Sequence, residues 1–148
     1  MYYWCTNSLG SIVHENGNFT CDIQAAGNEE WNVKLTQAPI ALVNGKKYHF
    51  SFDIVSSSNR KVKYVFQNLS TYAWYGGETL ELTAGEKKTI DYTIDVKGDA
   101  MPTCNSVNFI LNMGILHFYG ANGLEGTYTP DSSAVIKVSN FSLVEINE

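Results

Sequence analysis

The sequence predicts an all-β protein, a two-sheet β-sandwich of jelly-roll or related topology, and three observations predict it. Apolar and polar residues alternate in segment after segment, the signature of half-buried strands. Turn dipeptides and single glycines separate those segments at short intervals. No segment carries helical periodicity, so about eight to ten short strands are expected. At 148 residues, with no linker, repeat or low-complexity tract, the chain reads as one domain, 1–148.

Residues 11–17 (SIVHENG) end in Asn16-Gly17, a hairpin-turn dipeptide. Beyond it Phe19, Cys21, Ile23 and Ala25 alternate with Thr20, Asp22 and Gln24. Gly27 and Asn28 turn the chain into a third strand, 31–37 (WNVKLTQ), whose exit Pro39 marks. Trp31 shares parity with Val33 and Leu35 and is expected at the core edge. After Asn44-Gly45, residues 47–55 set Tyr48, Phe50, Phe52 and Ile54 against His49, Ser51 and Asp53. A polar turn, 56–59, leads into the most informative stretch, 62–75 (VKYVFQNLSTYAWY).

Residues 79–83 (TLELT) form a short strand, and 88–96 turns Ile90, Tyr92, Ile94 and Val96 inward. A loop over 97–105 precedes 107–113, where Val107, Phe109 and Leu111 face in and Asn108, Ile110 and Asn112 face out. A long polar, Gly-bearing loop is expected at about 120–133. In the last strand, 134–146, the apolar parity changes between Val138 and Phe141, which predicts a bulge near Ser139-Asn140.

Ten basic against fifteen acidic residues give a net charge of −5, and no basic run opposes it. Such a surface repels phosphate backbones, which excludes nucleic acid and an anionic membrane as the expected partner. Aromatic residues make 13% of the chain and charged residues only 17%, the balance of an extracellular recognition domain. No apolar run has the roughly 18 residues of a membrane span. The start, MYYWCTNSLG, lacks the pattern of a signal peptide, so the chain reads as a mature or excised module. The cysteines, Cys5, Cys21 and Cys104, have no metal-binding spacing. Cys5 and Cys21 would close a loop if they sat opposite each other on paired strands, a bridge worth about 3 kcal/mol.

In 62–75, Val62, Tyr64 and Phe66 point one way, and Lys61, Lys63, Val65 and Gln67 the other. Asn68 to Tyr75 then adds an amide and three large aromatics, Tyr72, Trp74 and Tyr75, in a Gly-terminated loop. Flat apolar rings beside uncharged amides suit a flat, uncharged, hydroxyl-rich ligand. A sugar chain fits that description.

The ordered motifs ENGNFTCDI, WNVKLTQAPIALVNGKKYHFSFDI, RKVKYVFQN, TLELT, NFILNMG and VIKVSNFSLVEI resemble the carbohydrate-binding modules of the related families four, nine, sixteen and twenty-two. Those modules accompany secreted bacterial glycoside hydrolases. The resemblance implies a chain lying across the concave face of one sheet, with Gln or Asn side chains on the floor and aromatics along the groove. Carried over by position, it implies ligand contacts at Gln37, at Gln67 or Asn68, at Tyr72 or Trp74, at Asn112 or its neighbour Asn108, and at Trp4 on the rim. It also implies a plant cell-wall polysaccharide as partner, a covalently attached glycoside hydrolase, an extracellular location and a monomer. The Asn-Gly-Asp-Phe type of opening that supplies structural calcium ligands in such modules is missing, and Ser139-Asn140 replace the usual paired acids. No cofactor is therefore expected.

The candidate acids Asp53, Glu78, Glu81, Asp91 and Asp95 form no cluster on one strand face, as hydrolysis by a carboxylate pair would need. His14, His49 and His117 lack ligand spacing, and no Gly-x-Ser-x-Gly elbow occurs. The expected function is non-catalytic binding of a single β-1,4-linked chain, with a structural accessory domain as the alternative.

Overall fold

The computed structural model describes residues 3–5, 9–25, 27, 30–68, 70–120, 122–130 and 133–146, and of positions 3–5, 31, 38, 39, 119 and 120 the backbone alone. In chain order the strands are β1 (Tyr3–Cys5), β2 (Gly10–Glu15), β3 (Asn18–Ile23), β4 (Val33–Leu42), β5 (Lys47–Ser56) and β6 (Arg60–Asn68). Then come β7 (Trp74–Leu82), β8 (Lys88–Asp95), β9 (Cys104–Asn112), β10 (Leu116–Gly120), β11 (Gly123–Tyr128) and β12 (Ala134–Ile146). One 3-10 turn, Glu30–Asn32, precedes β4. Among the described residues no helix is long and apolar enough to cross a membrane.

Ten of these strands build the two sheets of a jelly-roll sandwich, as the alternation predicts. The front sheet has the order β1-β4-β9-β6-β7 and the back sheet β2-β3-β12-β5-β8, while among the described residues β10 and β11 pair only with each other. Every strand pairing is antiparallel. The inward residues of β5, β6 and β9 meet in an aromatic cluster. Phe109 lies at its centre, with ring centroids 4.9 Å from Phe50, 5.5 Å from both Phe52 and Phe66, and 5.7 Å from Phe141. Tilted and edge-on packing of this kind adds to the burial of each ring.

Several expectations are corrected by the backbone. The segment expected as a polar loop at 120–133 contains β11 and the end of β10, so the stretch 115–133, which the family resemblance marks as longer than expected, is largely a hairpin. Residues 74 and 75 do not belong to the loop after β6; they open β7. Pro39 does not end its strand, because β4 runs on to Leu42 with register shifts between Gln37 and Ile40 and again before Leu42. Position 39 falls within the first of those register shifts, and among the described residues β1 pairs β4 only at 33–35, so a missing N–H there interrupts no regular ladder. Cys5 lies in β1 of the front sheet and Cys21 in β3 of the back sheet, so the two do not sit opposite each other on paired strands, the condition set for a bridge between them. The bulge near Ser139-Asn140 is present, with a register shift between Ser139 and Ser142 and Asn140 at φ 57°.

Two glycines fix how β7 meets the core. Gly76 has φ 129°, and a Cβ there would lie 2.3 Å from the Tyr92 hydroxyl. Next to it the Gly77 amide donates to that hydroxyl at 3.1 Å. A side chain at 76 would be strained at that φ and would force the end of the Tyr92 ring aside.

Replacing Phe109 by Ala should cost about 3 to 5 kcal/mol, because the rings around it cannot close the space. Urea unfolding measures this as a lowered midpoint with little change in slope.

Candidate functional site

Directly paired residues in an antiparallel sheet share a face, so the registers of the front sheet define rows across its outer surface. One row is Lys34, Asn112, Lys63 and Thr79; the next is Thr36, Ile110, Val65 and Gly77; the third is Asn108, Gln67 and Trp74. Trp74 is 52% exposed at the end of the third row. Gly77, in the neighbouring row, has no side chain to fill the space beside it.

That space is a cavity of about 460 Å³. Val65 and Gly77 lie on its floor, Trp74 stands on one side, and His117 and Phe118 of the β10–β11 hairpin stand on the other. Glu78 and Thr79 of β7 also line it. The Tyr64 hydroxyl beneath donates to the Glu78 carboxylate. Burial, and then the adjacent carboxylate, push that hydroxyl's pKa far above its ordinary value, so it remains a donor.

The hairpin is seated by one polar cluster. Lys63 Nζ pairs with Glu30 Oε2 at 2.6 Å and donates to Glu30 Oε1 at 2.8 Å and to the His117 carbonyl at 2.9 Å. The His117 amide donates back to Glu30 Oε1 at 3.1 Å, and Asn112 Nδ2 donates to Glu30 Oε2 at 3.3 Å. Lys63 Nζ also stands 5.9 Å from the centre of the Phe118 ring. A second tie joins the hairpin to β6, where the Lys61 amide donates to the Tyr128 hydroxyl at 3.2 Å.

The loop between β6 and β7 is held by Asn68. Its Oδ1 accepts from the amides of Ser70 at 2.8 Å and Thr71 at 3.2 Å, an Asx-turn arrangement. Its Nδ2 donates to Cys104 Sγ at 2.9 Å, and its backbone bonds close the loop at Tyr72 and Ala73. Tyr72 takes φ 62° and is 72% exposed, so the loop presents its ring to solvent. Gln67 Nε2 donates to the Tyr72 carbonyl at 3.4 Å.

The structure therefore brings Gln67, Tyr72 and Trp74 to one region and sorts the other expected residues differently. Asn68 shares parity with the core and acts on the loop. Asn112 does face outward, but it is 6% exposed and bonded to Glu30, so it is shut off from solvent. Gln37 pairs with Phe109 and lies on the core side of β4, the face opposite the groove. Trp4 is in β1, opposite Lys34, and its side chain lies outside the described residues, as does that of Trp31. Tyr75 is buried and its hydroxyl donates to the Pro102 carbonyl. His117, Phe118 and Gly77 were not signalled by the sequence, although Leu116, Phe118 and the intervening His117 carry a brief alternation.

The acids are scattered. Asp53 and Asp91 are on the outer face of the back sheet, away from this cavity. Hydrogen bonds from the Thr89 hydroxyl and the Asn140 amide, both 2.6 Å, hold Asp53 below the usual carboxylate range. Asp91 pairs with His49 at 3.2 Å and Glu81 with Lys61 at 3.6 Å.

A sequence model described as "Carbohydrate binding domain", of the four/nine type, matches residues 2–132. The chain belongs to this carbohydrate-binding family. The module is similar in fold to a structure described as "CBM4 structure and function", with TM-score 0.67 and 18% identity over 93% of this chain and 78% of that one. It is also similar to the N-terminal cellulose-binding domain of Cellulomonas fimi β-1,4-glucanase C, with TM-score 0.66 and 16% identity over 98% of this chain and 88% of that one. The second N-terminal cellulose-binding domain of the same glucanase gives TM-score 0.61 and 16% identity over 98% and 86%. No curated protein sequence matches the module significantly.

Glu30→Ala should leave a mostly buried lysine unpaired and destabilise the fold by roughly 2 to 4 kcal/mol. Amide hydrogen exchange should show β10 and β11 losing protection before either sheet does.

Proposed function

We propose that this module binds a single β-1,4-linked polysaccharide chain without cleaving it, and that it directs an attached, secreted glycoside hydrolase to plant cell-wall polysaccharide. The observation that carries the reading is Trp74, a half-exposed indole set on the outer face of a sheet beside the Gln67 amide and at one side of a cavity floored by Val65 and Gly77. An exposed indole costs solvation, and a pyranose face is the kind of flat apolar surface that relieves it.

Each ring that stacks on a sugar hides on the order of 60 to 100 Å² of apolar surface, worth roughly 1.5 to 2.5 kcal/mol. Amide hydrogen bonds replace bonds to water and add about 1 kcal/mol each. With Trp74 and Tyr72 stacking and Gln67 bonding, dissociation constants fall between roughly micromolar and millimolar. Tethering makes such weak binding useful, because it raises the effective concentration of an enzyme on its substrate. The net charge of −5 suits a neutral ligand, and the acids lie apart from one another, two of them across the sandwich, which supports a non-catalytic role.

The ligand class we favour is β-glucan, including mixed-linkage glucan, ahead of xylan and then mannan. Its support is the family membership together with fold similarity to two domains described as cellulose-binding. The rival reading is a structural sandwich that packs against neighbouring domains, in which case Tyr72 and Trp74 are dispensable for any sugar interaction.

Native affinity electrophoresis in gels containing barley β-glucan, hydroxyethylcellulose, xylan or glucomannan separates these readings. One polymer should retard the protein, and Trp74→Ala and Gln67→Ala should each abolish or sharply reduce that retardation. Unaltered migration in every polymer would favour the structural domain. Retardation that survives both substitutions would move the site elsewhere on the module.

A further inference from the structure

We infer that Asn68 is a positioning residue for sugar binding, which holds Tyr72 in a strained backbone conformation so that its ring is in place before a ligand arrives. This rests on the reading just proposed and deepens it. Among the described residues, Asn16, Tyr72 and Asn140 are those other than glycine with positive φ. Asn tolerates that region because its short side chain bonds locally, whereas a bulky aromatic there is an outlier that its surroundings must hold. The fold gains little from this ring, because Tyr72 is 72% exposed. A loop needed only to reverse the chain would be served better by Gly or Asn at 72, as the turn at Asn16-Gly17 is. Strain kept at an exposed aromatic, two residues before the half-exposed Trp74, points to what the ring does outside the fold.

Asn68 supplies the hold. Its backbone amide donates to the Ala73 carbonyl at 2.9 Å, and its carbonyl accepts from the Tyr72 amide at 2.7 Å. Its Oδ1 takes the amides of Ser70 and Thr71, and its Nδ2 reaches Cys104 Sγ at the start of β9. Every polar group of this residue is therefore engaged, and its bonds bracket Tyr72 from both sides. Gln67 adds to the bracket from the preceding position, through its bond to the Tyr72 carbonyl. A loop free to rotate would have to be ordered on binding, and that lost entropy would lower the affinity. With Asn68 in place the ordering is complete beforehand.

A double-mutant cycle isolates this role. Isothermal titration with six-unit cello-, xylo- and manno-oligosaccharides is run on the unaltered protein, Tyr72→Gly, Asn68→Ala and the double variant, with thermal unfolding of each. For the sugar that binds, Tyr72→Gly should weaken binding about tenfold or more. Its Tm should be no lower than that of the unaltered protein, since relief of the strain offsets the freedom Gly adds to the unfolded chain. Asn68→Ala should weaken binding about five- to tenfold by itself, but less than about twofold in the Tyr72→Gly background. Asn68→Asp keeps an acceptor for the Ser70 and Thr71 amides and should bind within about threefold of the unaltered protein. Asn68→Ser takes the place of Asn68→Ala in the cycle if the latter does not fold. An Asn68 effect undiminished in the Tyr72→Gly background, or a Tyr72→Gly Tm lowered by more than about 3 °C, would overturn the inference while leaving the binding module standing. Heat from none of the saccharides with the unaltered protein would remove both.

Discussion

Strand β6 has to satisfy two surfaces at once, and the rest of the molecule follows from how it does so. Its inward residues Val62, Tyr64 and Phe66 are fully buried in the aromatic core. Its outward residues Lys63, Val65 and Gln67 provide the anchor for the hairpin, the floor of the cavity and the amide beside Trp74. Because side chains alternate with a period of two, a slip of one residue would exchange those roles and destroy core and site together. Pairing with β7 on one side and β9 on the other fixes the register against that slip. The surface beside Trp74 and the core are thus written into the same nine residues.

Most of the fold was legible because most strands are half-buried. The strict alternation of β5 and β6, the turn at Asn16-Gly17 and the parity change in β12 all correspond to features of the structure. Hairpin β10–β11 was not legible as structure. It lies outside both sheets, so β11 buries no face deeply enough to impose alternation on its Gly, Glu and Thr residues.

The candidate site was legible in part. Gln67 and Trp74 follow from parity and from an aromatic placed beside glycines. Asn112 was placed on the correct face, but what closes over it is Glu30, a residue 82 positions away that no local pattern connects to it. Gln37 is a different case. It shares parity with Val33 and Leu35, so the alternation already assigns it to the core side, and family resemblance alone moved it to the groove. Local periodicity was the better guide there, because a face is set by strand geometry whatever the ligand.

Hairpin β10–β11 shares no ladder with either sheet among the described residues. Its described polar anchorage is a salt-bridged lysine, the carboxylate partnering it and one tyrosine hydroxyl. Substitutions, insertions or deletions at its tip can therefore accumulate with little penalty to the sandwich, since the ring contacts of the core among the described residues join other strands. The sandwich can thus keep its core while this one appendage, and with it the shape of the wall beside Trp74, changes.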